Sequence, residues 1–132
     1  MILFIDTSDF NALTLVLISD TAGNAKVKTF QSAVKFNENY KTNELLQKFL
    51  LHEKVKITDL KKIIVCTGPG SFTGIRVGVS MAQALGFGLR IPVVAIPKSK
   101  IPKDIQKLPF VKGGQNLVMN YGQKPNITKA KK

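Results

Sequence analysis

Residues 62–74 read Lys62-Ile63-Ile64-Val65-Cys66-Thr67-Gly68-Pro69-Gly70-Ser71-Phe72-Thr73-Gly74, an apolar run followed by a Gly/Pro-rich loop and the start of a long, Gly-spaced apolar segment. A short run of β-branched residues fits a buried strand, and the apolar segment over residues 74–89 is long enough for a helix, so the stretch is a strand-to-helix joint. Pro69 stiffens the turn, Gly68 and Gly70 permit backbone angles denied to other residues, and Ser71 or Thr73 can cap the helix by accepting from a free N–H. A joint of this kind cradles a phosphate, presents a serine nucleophile, or simply turns the chain. Spacing separates these. A phosphate loop needs a lysine after its last glycine, where Ile75 stands. A dinucleotide fingerprint needs G-x-G-x-x-G, but Gly68, Gly70 and Gly74 are spaced G-x-G-x-x-x-G and no acidic residue lies near position 94. Gly70-Ser71-Phe72-Thr73-Gly74 is one residue too long for a hydrolase elbow, and His52, the only histidine, falls on the preceding helix. A structural joint remains, with an anion site at Gly70, Ser71 and Thr73 left open because a helix N-terminus attracts negative charge.

Outward from the joint, Ile2-Leu3-Phe4-Ile5 is a buried strand stopping at Asp6-Thr7-Ser8, and residues 13–19 form a second strand returning antiparallel after a short turn. Residues 20–24 are a turn, and residues 27–36 alternate as an edge strand. Over residues 43–54, Leu45, Leu46, Phe49 and Leu50 trace the stripe of an amphipathic helix, with Thr42 or Asn43 as N-cap and Glu44 in the first turn. Val93-Val94-Ala95-Ile96 after Pro92 is a fifth strand. The order β-β-β-α-β-α-β describes an α/β fold, an actin-like or ribonuclease H-like half-lobe with a mixed five-stranded sheet of order 3-2-1-4-5. Both crossovers run the same way and are right-handed, so both helices cover one face. The other face needs a cover, from residues 98–132 or another chain, because five bare apolar strands exceed the exposed patch a soluble monomer carries. The expected division is a lobe over residues 1–97, then residues 98–132 as a partial hairpin, turning at Gly113-Gly114 between Leu108-Pro109-Phe110-Val111 and Asn116-Leu117-Val118-Met119, with a basic tail.

The chain has 132 residues, enough for one domain, and a formal net charge of +12. Residues 98–132 hold nine lysines against Asp104 alone, which leaves open a tRNA-binding accessory role through the basic C-terminal part. Cys66 is the single cysteine, excluding an internal disulfide, and with one histidine it cannot form a structural zinc site. No metal and no cofactor is expected. No apolar run nears the ~18 residues of a membrane span, and a signal peptide is not evident, so a cytoplasmic location is expected. Gly74, Gly78, Ala82 and Gly86 form a strip of small residues that admits close packing on the sheet or the first helix, while Arg76, Ser80, Gln83 and Phe87 mix polar groups with an aromatic as a partner interface does.

Three blocks, Ile2-Leu3-Phe4-Ile5-Asp6-Thr7-Ser8, Gly68-Pro69-Gly70-Ser71-Phe72-Thr73-Gly74-Ile75-Arg76-Val77-Gly78 and Gly88-Leu89-Arg90-Ile91-Pro92-Val93-Val94, together resemble the TsaB (YeaZ) family of tRNA threonylcarbamoyladenosine biosynthesis proteins, over about residues 1–97. The resemblance implies an actin-like (ASKHA) fold and a non-catalytic subunit that binds and activates TsaD, the threonylcarbamoyltransferase acting on the adenosine beside the anticodon, with TsaE as a further partner; a homodimer when alone is left open. It implies a helical contact, here Asn43, Leu46, Gln47 and Leu50 on the first helix and Gly74, Arg76, Gly78, Ser80, Ala82, Gln83 and Phe87 on the second. Family members usually carry a second lobe, of which residues 98–132 could hold only the first hairpin. Asp6-Thr7-Ser8 also lacks the glycine that phosphate-handling relatives place after the aspartate. A nucleotide hydrolase or protease-like enzyme is the remaining alternative.

Overall fold

The structure is a computed structural model that describes residues 1–9, 11–19, 26–33, 39–110 and 115–116. The strands are β1 (Ile2–Asp6), β2 (Ala12–Ile18), β3 (Val27–Ala33), β4 (Lys62–Cys66), β5 (Val93–Ile96) and β6 (Gln115–Asn116), and the helices are α1 (Asn39–His52) and α2 (Phe72–Leu89). They build one sheet in the order β3-β2-β1-β4-β5-β6. β1 is antiparallel to β2, pairing Ile2 with Ile18 and Asp6 with Thr14, and parallel to β4, pairing Ile2 with Lys62 and Ile5 with Val65. The mixed order 3-2-1-4-5 is the one expected, extended by a sixth strand. β6 pairs only two residues, Asn116 with Val94 and Gln115 with Ala95. β6 overlaps the expected hairpin arm Asn116-Leu117-Val118-Met119 at Asn116.

Alternation along the strands sorts side chains between two cores, since neighbours on a strand point to opposite faces. On one face Leu3, Ile5, Leu13, Leu15, Leu17, Ile63, Val65 and Val93 pack against Leu46, Phe49 and Leu50 of α1 and Met81 and Ala82 of α2. Both helices therefore share a face, as right-handed crossovers require. Phe30 of β3 stacks on Phe49 with ring centroids 5.5 Å apart, tying the edge strand to α1. On the other face Ile2, Phe4, Val16, Ile18, Ile64, Cys66 and Ile96 pack with Leu108, flanked by Ile101 and Ile105. The chain itself covers this second face, through residues 98–108, so the packed body reaches beyond residue 97.

Two local expectations change. α1 begins at Asn39, not at residue 43, so neither Thr42 nor Asn43 is its N-cap and Glu44 is not in its first turn. Thr42 is buried on the same side as Leu46 and Phe49, at i, i+4 and i+7, and prolongs a stripe whose first position is polar and therefore did not register as apolar. Leu108-Pro109-Phe110 lies in a 3-10 turn over Ile105–Phe110 instead of forming a hairpin arm. Pro109 has no N–H to give a ladder, which disfavours a strand there. The expected Gly113-Gly114 turn, the second arm beyond Asn116 and the tail lie outside the described residues.

Candidate partner-binding face

The joint after β4 is built around the end of β1. Asp6 Oδ1 accepts from the Ser8 N–H at 2.8 Å and from the Ser8 hydroxyl at 2.6 Å, folding Asp6-Thr7-Ser8 into a tight turn. The Ser71 N–H donates to the Ser8 carbonyl oxygen at 2.7 Å. Gly70 must be glycine here, because a Cβ on it would run into that same carbonyl. Ser71 is the N-cap of α2, its Oγ accepting from the Gly74 N–H at 3.0 Å. Thr7 Oγ1 donates to the Gly74 carbonyl oxygen at 2.5 Å, and a Cβ on Gly78 would collide with Thr7 Oγ1. Thr7, Ser8 and Ser71 are all buried. The loop is thus a clamp that pins the first two turns of α2 onto β1.

Part of this geometry is already used, the Ser71 N–H being bonded to the Ser8 carbonyl oxygen and Ser71 Oγ to the Gly74 N–H. Of Gly70, Ser71 and Thr73, Ser71 is buried, whereas Gly70 and Thr73 are exposed. Cys66 is buried at the end of β4, where burial pushes its thiol up from the ordinary value of 9.0; the Gly68 N–H donates to its sulfur at 3.4 Å. His52 lies at the exposed end of α1 with Nδ1 3.0 Å from Glu53 Oε2. Among the described residues no group of three or more His, Cys, Asp or Glu is placed to hold a metal ion, and no helix is long and apolar enough to cross a membrane.

The strip of small residues on α2 faces inward. Gly74, Gly78, Ala82 and Gly86 are buried, the first two over the Thr7 turn. Leu46 and Leu50 are buried among the side chains of the helix-covered sheet face. These five of the eleven expected contact residues, Leu46, Leu50, Gly74, Gly78 and Ala82, are therefore unavailable to a partner, because the domain's own core needs them. The remaining six, Asn43, Gln47, Arg76, Ser80, Gln83 and Phe87, are exposed. They are joined by Phe72, which sequence reasoning missed. Phe72 is 74% exposed and Phe87 68%, and the Arg76 guanidinium sits 5.6 Å from the centre of the Phe72 ring. Phe72, Arg76, Ser80, Gln83 and Phe87 follow helical spacing along one outward edge, so the signal existed one turn before Arg76 and was read as part of the loop. Beside this edge an open groove of about 610 Å³ runs between α2 and the start of α1, lined by Asn43, Phe72, Arg76, Ser80 and Leu85 among others.

Comparison with known proteins places this architecture. Residues 35–101, about half of the chain, match the family model described as TsaD: tRNA N6-adenosine threonylcarbamoyltransferase. The tRNA threonylcarbamoyladenosine biosynthesis protein TsaB of Bacillus subtilis is 34% identical over 95 residues, covering 72% of this chain and 40% of the relative. The protein of the same name from Buchnera aphidicola subsp. Schizaphis graminum is 38% identical over 52 residues, 39% of this chain and 25% of its own length. The chain belongs to the TsaB/YeaZ family. Among solved structures, YeaZ from Pseudomonas aeruginosa superposes with a TM-score of 0.65 at 24% identity, covering 76% of this chain and 45% of that one, which establishes a shared fold. The clamp of Gly70 on Ser8 and of Thr7 on α2 is accordingly part of a TsaB/YeaZ-type sheet with its ASKHA-like topology. The chain spans less than half the length of these TsaB/YeaZ relatives.

Proposed function

We propose that this chain is a non-catalytic binding subunit in tRNA threonylcarbamoyladenosine biosynthesis, docking on a TsaD-type threonylcarbamoyltransferase through the outward edge of α2 and the adjoining α1. The observation that carries the reading is Phe72 and Phe87, two large aromatics left in solvent at either end of a helix whose opposite side is fully packed. Aromatic and Arg side chains are the residues that anchor interfaces, and Phe72 and Arg76 line an open groove of about 610 Å³ on the same helix that exposes Phe87. The names of the TsaB relatives support the pathway, and the match of residues 35–101 to the TsaD model makes a TsaD-type protein a partner of related fold in this reading. The loop that resembles an active site is internally bonded, which supports a scaffold over a hydrolase.

The test is co-purification with a TsaD homologue. Phe72→Asp and Phe87→Asp, both at exposed positions, are expected to abolish capture while leaving the circular dichroism spectrum and melting unchanged. Capture retained by both variants would show that this face is not the interface. Gly78→Leu is unsuited to the purpose, because a side chain there collides with Thr7 and unfolds the clamp before any partner is involved.

A further inference from the structure

Residues 98–108 do two things at once. Their apolar side chains, Ile101, Ile105 and Leu108, face the sheet and close its second core, Leu108 being fully buried. At Lys100, Lys103 and Lys107, interleaved with the apolar set, the side chains are exposed. The strap is tied at its start, where the Lys98 N–H donates to the Gly68 carbonyl oxygen at 2.7 Å, and near its end by the burial of Leu108; between them the Lys100, Ile101 and Lys107 N–H groups close local turns on Pro97, Lys98 and Asp104. Lys98 is partly committed, its ammonium 3.1 Å from Asp9 Oδ1. Asp104 is the one acidic residue of the strap, and its Oδ1 accepts from the Gln106 N–H at 3.1 Å. The strap therefore carries three exposed lysines on a backbone anchored to the core beneath it, on the sheet face opposite α1 and α2.

We propose that Lys100, Lys103 and Lys107 on this strap are a binding surface for the phosphate backbone of a nucleic acid. Exposed ammonium groups concentrated on one anchored segment suit a polyanion, since each Lys that meets a phosphate releases condensed counterions and gains free energy without reading a base. A chain of net charge +12 adds long-range attraction to the same ligand class. An anionic membrane is the less suitable occupant. Surface-bound segments insert apolar side chains beside their lysines, whereas the strap directs Ile101, Ile105 and Leu108 into its own core. Leu51, Ile57, Phe72 and Phe87, the exposed large apolar residues among those described, lie on other elements. The proposal is independent of the α2 interface, because the two surfaces lie on opposite faces of the sheet.

The experiment measures binding of the full chain to a fluorescent tRNA transcript, to duplex DNA of similar length, and to vesicles of phosphatidylcholine with phosphatidylserine, across a salt series. The unaltered chain should bind one or both nucleic acids at physiological salt, the preferred one identifying the source of the phosphates. In Lys100→Gln/Lys103→Gln/Lys107→Gln the slope of log K against log salt should become shallower by about 2–3, at roughly 0.7–0.9 for each phosphate no longer neutralised. Lys→Arg at the same positions should restore it, separating charge from folding. A single Lys103→Glu change, at an exposed position, gives an independent reading of the same effect. The proposal is overturned if the Gln variant keeps the original slope and affinity, including the case where deletion of residues 124–132 alone removes binding. It is also overturned if the unaltered chain binds only vesicles, or binds none of the probes near physiological salt. None of these results bears on capture of a TsaD homologue.

Discussion

At the scale of single residues, close approach decides what each position tolerates. Gly78 and Gly88 lie in the same helix, yet a Cβ on Gly78 meets Thr7 whereas a Cβ on Gly88 meets nothing within 4 Å. Gly78→Ala is therefore expected to cost about 1–3 kcal/mol by overpacking, and Gly88→Ala to gain roughly 0.5–1 kcal/mol by relieving the backbone entropy of glycine. Urea midpoints of the two variants should move in opposite directions. If both move alike, the clamp on Thr7 is not what holds α2. Cys66 gives a pH prediction. Burial raises its thiol above the ordinary value of 9.0 in the folded chain, so below that pH folded and unfolded states are both protonated and nothing is lost. As pH rises past about 9 the unfolded thiol ionises first and the folded state loses stability. Cys66→Ala should remove that part of the loss, seen as a smaller fall in urea midpoint between about pH 8 and about pH 10. Reaction of the native thiol with a disulfide reagent should be slow until denaturant is added.

At the scale of elements, α2 is set by its two ends. Ser71 caps its start and Arg90 ends it in the left-handed region at φ 58°, with the Arg90 N–H bonded to the Gly86 carbonyl oxygen. Ser71→Ala should cost about 1 kcal/mol through the lost cap, and Arg90→Gly should gain about 1 kcal/mol because glycine adopts that backbone without strain. Thermal melts of the two variants read both effects. The cap was partly legible in the sequence, which offered Ser71 or Thr73; the structure chooses Ser71. The start of α1 was not, because its first turn, Asn39-Tyr40-Lys41-Thr42, offers no repeating apolar position and the stripe becomes visible only at Leu45 and Leu46. The same blindness hid Phe72, a helical residue read as loop, and thereby the second aromatic of the candidate site.

At the scale of the whole molecule, the sheet needs both of its covers. Residues 98–108 close the core of Phe4, Val16, Ile64 and Ile96, so a chain ending at residue 97 should expose that face and self-associate, in contrast to the full chain, when mass is measured by light scattering on a size-exclusion column. Leu108→Ala, which removes the most buried side chain of the strap, should cost about 2–5 kcal/mol. A monomeric, cooperatively melting 1–97 fragment would show that the strap is dispensable.

The strand order 3-2-1-4-5 and the common face of the two helices were determined by sequence alone, because apolar periodicity and crossover handedness are local or topological quantities. Which side of α2 turns inward was not. Gly74, Gly78 and Ala82 and their neighbours Arg76, Ser80 and Gln83 differ by a rotation about the helix axis, and small residues suit a partner's backbone as well as the domain's own. Only the Asp6-Thr7-Ser8 turn, brought from 67 positions away to the carbonyl of Gly74, settles that the small strip is internal and leaves Phe72, Arg76 and Phe87 to the outside.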